Sequence, residues 1–408
     1  MPDLLDALKL LGILAIIVVL LRLKWNLALV LLLASAAAGL VFGLTPKALA
    51  LGALEAAVDP TTLRLVAIVL LIMLMGEILR STLLLNGMLR SLGDLFADPR
   101  WLLASIPLLV GLLPMIGGAM FTAPMVEEAA QGMTISGERK TFLNYWFRHV
   151  CETSLPIYPS LVLAAGLMGV SPQALAVSNW PLLLAALVGG TVLGCVGIPR
   201  ARADGRARPL AKVTWLLLLR SIWPISLVLI LSLAVHIDLI VSLVVTVVAL
   251  IAVHRLGPRR LWTLAKGTRL DLVPMIVSVM VFTQILEVSG AIEAASQYLA
   301  NLGIPVPIVV FSVPLLAALL TGLAVSGFAI GLPIVLSLCP PDLMGSGYSL
   351  LAYAGGFCGL VLSPVHLCLI LSREYFKATW GGVYRYLLPA ALMLILTCVA
   401  VFMVRAWP

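Results

Sequence analysis

The chain carries the same interrupted apolar segment in two places. Residues 114–126 read PMIGGAMFTAPMV, and residues 323–335 read LAVSGFAIGLPIV. When the two segments are aligned, Gly118 falls on Gly327 and the prolines that follow also coincide, with apolar sequence of helical length on both sides. In a membrane protein, Gly/Pro-interrupted apolar segments at corresponding positions of two halves indicate a transport site. The repeat therefore predicts a duplicated membrane protein with a site between its halves.

Composition supports a chain that lies mostly in lipid. Of its 408 residues, 62% are hydrophobic and only 11% are charged, whereas a soluble domain carries about 25% charged residues. The net charge of +8 does not indicate nucleic acid, because the basic residues sit in short loops, where positive charge sets topology. We expect the N-terminal apolar run to be a retained span, since it lacks a basic start and a small-residue cleavage site.

Apolar runs of spanning length predict about ten transmembrane helices. Their ranges are 8–22, 26–43, 62–81, 141–164, 180–198, 213–235, 238–254, 271–289, 346–371 and 382–404. Two further apolar stretches, 101–134 and 305–340, are each broken near the middle by the Gly/Pro motif. Each half of these stretches is too short to cross, so both are predicted to be re-entrant helical hairpins.

The distribution of positive charge orients this topology. With ten spans and two hairpins, nearly all loop arginines and lysines share one side, and the opposite loops contain no arginine or lysine other than Lys47. These opposite loops are 43–61, 165–179, 236–238, 290–304 and 340–345. The asymmetry places the basic side in the cytoplasm. We expect a multi-pass protein of the cytoplasmic (inner) membrane with both termini outside.

A basic linker, 199–212, divides the chain into halves of five spans each. An odd number of spans forces the halves into opposite orientations, so 1–198 and 213–408 are predicted to form an inverted repeat. Segments 44–60 and 255–270 occupy equivalent places and are expected to lie along the membrane surface.

The hairpin tips carry the first group of candidate ligands. Glycine and proline at membrane depth interrupt helices and leave backbone N–H and C=O groups without helical partners. Such breaks are tolerated only where protein or a water-filled cavity surrounds them. Helix N-termini following the tips favour anions, and nearby hydroxyls add oxygen ligands. The tip candidates are Gly117, Gly118, Thr122, Thr321, Ser326 and Gly327. Each tip alone also fits a Gly/Pro kink that serves helix packing.

The spans that follow the hairpins are broken as well. HVCETSLPIYP (149–159) contains two prolines, and GFCGLVLSPVH (356–366) is its counterpart, with Tyr158 matching His366. Proline inside a helix removes a hydrogen bond and kinks or breaks it. Four interrupted segments are thus expected to converge. Candidates at these breaks are Thr153, Ser154, Tyr158, Ser363 and His366.

Charge distinguishes the two halves. The first broken span contains Arg148, His149 and Glu152, whereas the matching stretch near Gly355 to Leu360 has no acidic residue, arginine, lysine or histidine. Ionisable residues inside a membrane are costly and mark ion or substrate pathways. Arg148 and Glu152 are one turn apart and can equally form a structural ion pair. In the functional interpretation, Glu152 carries a proton or helps to bind a cation, and Arg148 attracts an anion.

The remaining chemistry-bearing residues give little signal. The six cysteines have no CxxC or Cys/His metal spacing and are expected to be buried small apolar side chains. They are Cys151, Cys195, Cys339, Cys358, Cys368 and Cys398. No Walker loop, redox centre, zinc signature or catalytic triad is present in the sequence. We therefore expect a protein that is not an enzyme and that uses no cofactor.

The interrupted segments resemble a known family. Two oppositely oriented hairpins, each followed by a broken span, resemble the ion transporter superfamily of secondary carriers. More narrowly, PMIGGAMFTAPMV, LNYWFRHVCETSLPIYP and LSPVHLCLILSREYF resemble the membrane family called domain of unknown function 401. The resemblance covers essentially the whole chain, although the Ser-Asn-Thr tip motif of the dicarboxylate/sodium symporters is absent.

The resemblance implies an elevator-type architecture, commonly dimeric, in which a transport domain moves against a scaffold. We expect the scaffold in 8–43 and 213–254, the transport part in 62–198 and 271–371, and a final span at 382–404.

Three functional hypotheses remain open. The first is a secondary transporter of a small organic anion, coupled to H⁺ or Na⁺, with any Na⁺ bound near the tips. The second is a cation/proton antiporter without an organic substrate. The third is a membrane scaffold that transports nothing.

Overall fold

The computed structural model describes residues 2–82, 84, 87, 99–114, 118–198, 211–268, 270–301 and 303–406. In this part of the chain every regular element is helical, which confirms the predicted fold class at that level. The α-helices are α1 (Pro2–Arg22), α2 (Leu27–Val41), α3 (Pro46–Val58), α4 (Pro60–Ser81), α5 (Pro99–Val110), α6 (Gly118–Ala129), α7 (Gly137–Val150), α8 (Pro159–Leu167), α9 (Pro172–Ser178), α10 (Trp180–Gly190), α11 (Ala211–Leu229), α12 (Leu239–Val253), α13 (Pro258–Gly267), α14 (Leu272–Val288), α15 (Ala291–Asn301), α16 (Val306–Thr321), α17 (Ala324–Val335), α18 (Tyr348–Leu362), α19 (Leu367–Tyr375) and α20 (Trp380–Ala406).

Local sequence explains where many of these helices begin. The side chains of Asn26, Asp59, Ser136, Ser171 and Asp238 each accept a hydrogen bond from a backbone N–H of the following first turn. Such caps satisfy donors that have no partner inside the helix. The helix boundaries therefore follow signals present in the sequence.

Several of the described helices can cross a membrane. By length and apolarity, Pro60–Ser81, Leu216–Ala234, Tyr348–Tyr375 and Trp380–Arg405 qualify alone, and two bent helix pairs would raise the number to six. Shorter apolar helices, including α2 and α12, lie where further spans are predicted. The count of ten spans stays a prediction.

Two segments expected to be loops contain helices instead. The predicted loop 165–179 contains α9, and the predicted loop 290–304 contains α15. Ser171 caps α9, and Pro172 occupies its first turn, where proline is tolerated. α15 packs on α1. Both segments carry helix signals that a search for runs of spanning length does not detect.

Both predicted hairpins form pairs of packed helices. The arms of the first hairpin are α5 and α6, and those of the second are α16 and α17. The second turn is made by Gly322 in the left-handed conformation, with φ of 72°, which glycine adopts without penalty. Residues 115–117 lie outside the described residues, and the predicted ligand Gly117 is one of them.

Equivalent helices of the two halves make equivalent contacts, each with a helix of the opposite half. α2 packs on α14 as α12 packs on α4, and α3 packs on α14 as α13 packs on α4. The second arm of each hairpin also packs on the broken span of the other half: α17 on α8, and α6 on α19. Most of the linker 199–212 lies outside the described residues.

Candidate functional site

Each broken span is interrupted where its prolines remove backbone donors. In the first, α7 ends at Val150, a single 3₁₀ turn follows, and α8 begins at Pro159. In the second, α18 ends at Leu362 and α19 begins at Leu367, with Pro364 in between. Although α7 is rich in polar residues, every residue in 141–150 is buried. The polar side chains of α7 are thus enclosed by protein, whereas Pro364 and Val365 at the second break are exposed.

The side chain at each break binds the hairpin of its own half. The Tyr158 hydroxyl donates to the Gly111 carbonyl at the end of α5. The Nδ1 of His366 lies 2.6 Å from the Gly322 carbonyl oxygen at the end of α16. These contacts satisfy carbonyls that a helix C-terminus leaves without partners. Tyr158 and His366, matched in the sequence, therefore occupy equivalent positions in the structure.

The two halves meet through a pair of histidines. Nε2 of His149 lies 3.1 Å from Nε2 of His366, and both residues are buried. His149 Nδ1 lies 2.8 Å from the Tyr145 carbonyl oxygen, and the Tyr145 ring contacts both imidazoles. The contact between the two histidines therefore connects the first broken span with the break of the second broken span.

Arg148 lies at the first hairpin. Its guanidinium donates to the Tyr158 hydroxyl over 3.1 Å and packs directly on Gly118, the first residue of α6. A Cβ at Gly118 would lie 2.4 Å from Nε of Arg148. A buried cation therefore stands at the start of a helix, whose amide groups also carry partial positive charge.

Glu152 lies on the 3₁₀ turn of the first break and has partners different from those of Arg148. Its carboxylate accepts a hydrogen bond of 2.9 Å from the Ser160 hydroxyl. Its backbone carbonyl accepts one of 2.6 Å from the Tyr353 hydroxyl of α18. Glu152 is thus held by residues from both halves of the chain.

Thr122 belongs to a buried hydrogen-bond network. Its hydroxyl lies 2.6 Å from Oδ1 of Asn144, and Asn144 donates to the Ala119 carbonyl and the Ser372 hydroxyl. The network joins α6, α7 and α19. In this arrangement the Thr122 hydroxyl connects helices.

The other predicted site residues differ in their surroundings. The hydroxyls of Thr153, Ser154, Thr321 and Ser363 donate to the backbone carbonyls of Val150, Ala176, Ala317 and Leu319. The buried Ser326 hydroxyl has no hydrogen-bond partner among the described residues.

Gly327 lies inside the second arm of its hairpin. A Cβ there would come within 2.5 Å of the Ala318 Cβ of α16. Close packing of the two arms therefore requires this glycine.

Three residues at this location were absent from the predicted set. From the sequence, His149 is only an ionisable residue of the span, and no motif marks Tyr353 or Asn144. The strongest available signal was for His149, because the chain has only four histidines and two of them lie at the breaks.

The observed architecture is that of a polytopic α-helical membrane protein with two hairpins and two broken spans. A family model described as "Protein of unknown function (DUF401)" matches residues 6–404, and the chain belongs to this family.

Comparison with solved structures shows the same fold in the YdaH transporter of Alcanivorax borkumensis. The match has a TM-score of 0.62 at 15% sequence identity and covers 94% of this chain and 98% of that one. At this identity the likeness concerns the fold alone. No curated protein is a significant match to this chain.

Proposed function

We propose that this protein is a secondary active transporter that moves a small organic anion together with H⁺ or Na⁺. The observation that carries the proposal is the contact of His149 with His366, which joins two broken helices and, through Gly322, a hairpin. Broken helices at membrane depth are typical of transporter binding sites. A solved structure with the same fold is also that of a transporter.

Arg148 supports an anionic substrate. It is buried at the N-terminal end of α6, where its charge and the helix amides attract the same ligand. A guanidinium also matches a carboxylate in shape and can donate two parallel hydrogen bonds to it. A monocarboxylate or hydroxy acid is the proposed substrate class.

Glu152 is proposed as the residue that carries the coupling ion. A partly buried carboxylate at a helix break inside the membrane gains from taking up a proton or a cation, and Glu152 contacts Ser160 of its own half and Tyr353 of the other. If Na⁺ is the coupling ion, the hairpin tips supply further oxygens.

The proposed motion is that of an elevator. The transport domain would comprise 62–198 and 271–371, and the scaffold 8–43 and 213–254, with the dimer contact on the scaffold. The exchanged contacts of α2 with α14 and of α12 with α4 support an inverted repeat. An ion pair between Arg64 and Asp238 also connects the two proposed domains.

A thermal-shift screen of the purified protein against organic acids, with and without Na⁺, tests the proposal. A ligand at a hundred times its dissociation constant stabilises the folded state by roughly 2.7 kcal/mol. One acid class should raise the melting temperature. Absence of any shift across the panel argues against an organic substrate.

The second candidate is a cation/proton antiporter. It is favoured by the buried pair His149 and His366 and the carboxylate of Glu152, which can all bind protons. Na⁺/H⁺ exchange in proteoliposomes, without transport of any organic acid, would support it over the first.

A further inference from the structure

The buried histidine pair directs two nitrogen lone pairs at one position. Nδ1 of His149 and Nδ1 of His366 each face a backbone carbonyl oxygen, at 2.8 and 2.6 Å. A carbonyl oxygen only accepts hydrogen bonds, so both Nδ1 atoms carry the hydrogen. In the neutral rings each Nε2 then has a lone pair, and the two Nε2 atoms are 3.1 Å apart. Two facing lone pairs repel unless a cation lies between them.

A third ligand atom lies beside the pair. Sγ of Cys368, near the start of α19, and one ring nitrogen of each histidine all lie within 4.8 Å of one another. Cys368, His149 and His366 are all buried. Imidazole nitrogen and cysteine sulfur are the ligands that soft metal ions prefer.

We propose that His149, His366 and Cys368 bind one soft metal ion, Zn²⁺ or Cu⁺. This site goes beyond the proposed transport of an anion and does not depend on it. Two Zn–N bonds of about 2.0–2.1 Å at a tetrahedral angle place the nitrogens about 3.3 Å apart, close to the observed 3.1 Å. A Zn–S bond of about 2.3 Å requires Sγ about 3.6 Å from each nitrogen, and Sγ of Cys368 lies within 4.8 Å of one ring nitrogen of each histidine, so a small inward movement of its side chain completes the site.

The surroundings of the histidines are those of metal ligands. A ligating histidine usually donates its other N–H to a carboxylate or a backbone carbonyl, which fixes the tautomer and the ring orientation. Here the carbonyls of Tyr145 and Gly322 fill that role. The metal would thus join α7 to α19 and, through Gly322, to the second hairpin.

Charge distinguishes the two candidate ions. With a Cys368 thiolate and two neutral imidazoles, Cu⁺ gives a neutral complex and Zn²⁺ gives a net charge of +1. Burying net charge is costly, and Arg148 is the neighbour of His149 in the chain. The site is therefore expected to prefer Cu⁺. A single proton shared by the Nε2 atoms is the competing arrangement, and a metal titration distinguishes the two.

The test uses the full-length protein, purified in detergent under reducing conditions and stripped of metal. Co²⁺, as a spectroscopic substitute for Zn²⁺, is titrated and followed by absorption, and Cu⁺ is titrated in competition with a coloured chelator. We expect one equivalent of either ion and a thiolate-to-cobalt charge-transfer band. Loss of the groups that hydrogen-bond to metal-ligating histidines lowers metal affinity by about 10–100-fold. His149→Gln and His366→Gln each remove a ligand itself and should lower the affinity by more than about 100-fold.

Two matched variants separate this site from other histidines and cysteines. Cys368→Ala should remove the charge-transfer band, whereas Cys358→Ala, which changes another buried cysteine, should retain it. His254→Gln should bind like the wild type.

The wild-type titration is decisive even where a variant fails to fold. A folded wild-type protein that binds neither ion overturns the proposal and favours the shared proton. Binding that survives in the double variant His149→Gln/His366→Gln also overturns it. Because metal binding is measured without substrate, its failure leaves the transport proposal unaffected.

Discussion

The guanidinium of Arg148 lies directly against the backbone of Gly118, where a Cβ would come within 2.4 Å of its Nε. With Arg148 in this position, the second arm of the first hairpin, α6, begins at a residue that has no side chain. Gly118→Ala should displace Arg148 from Tyr158 and overpack the buried site, at a cost of about 1–3 kcal/mol. Thermal unfolding of the purified variant measures this cost.

Gly76→Ala is the matched control for that substitution. Gly76 lies inside α4, and a Cβ added there would meet no atom within 4 Å. Alanine inside a helix is more favourable than glycine by up to about 1 kcal/mol, so this variant should unfold at the same temperature as the wild type or higher. Equal destabilisation by both variants would contradict the close contact at Gly118.

Arg148→Lys tests the anion site while keeping the positive charge. Lysine lacks the planar fork that binds a carboxylate through two bonds, so the dissociation constant of the acid identified by thermal shift should rise about tenfold or more, or ~1.4 kcal/mol. Arg64→Lys, which changes the exposed partner of Asp238, should leave it unchanged. Unaltered affinity in Arg148→Lys would mean that Arg148 does not contact the anion.

Glu152→Gln tests coupling. Glutamine keeps the size of the side chain and an oxygen for the Ser160 hydroxyl, but it cannot exchange a proton or supply a negative charge. We expect ligand binding to persist in part and gradient-driven accumulation to be lost. The control is Glu77→Gln, because Glu77 pairs with Arg80 on the same helix. Transport with unchanged pH and Na⁺ dependence in Glu152→Gln would make Glu152 a structural residue.

Tyr353→Phe tests the contact between the halves at Glu152. The substitution removes the hydroxyl that donates to the Glu152 carbonyl and leaves a buried acceptor without its partner, which costs about 1–3 kcal/mol. Tyr375→Phe, at an exposed position, should cost almost nothing. If both variants unfold at the same temperature as the wild type, the Tyr353 contact does not contribute to stability.

The sequence predicted the interrupted elements because glycine and proline act locally. Pro159 and Pro364 mark the two breaks, and Gly322 marks the second hairpin turn. The helices α9 and α15 were missed because they are shorter than a span. Length and hydropathy alone do not separate such helices from loops.

Side-chain partners could not be predicted, because they depend on how the halves pack. His149 falls on Phe357 when the repeats are aligned, so the repeat gave no reason to pair it with His366. Arg148 and Glu152 are one turn apart, yet one contacts Tyr158 and the other Ser160. Thr122, predicted as a ligand from its place at a tip, bonds to Asn144.

Gradient-driven uptake in proteoliposomes tests the central claim most directly. The reconstituted protein would be given mono-, hydroxy- and dicarboxylates under an inward H⁺ or Na⁺ gradient, and the acid inside would be measured over time. Our account predicts that at least one acid accumulates above its external concentration, that collapse of the cation gradient abolishes accumulation, and that Glu152→Gln does the same. Uptake of no acid by folded wild-type protein, or accumulation that persists without either gradient, would contradict it.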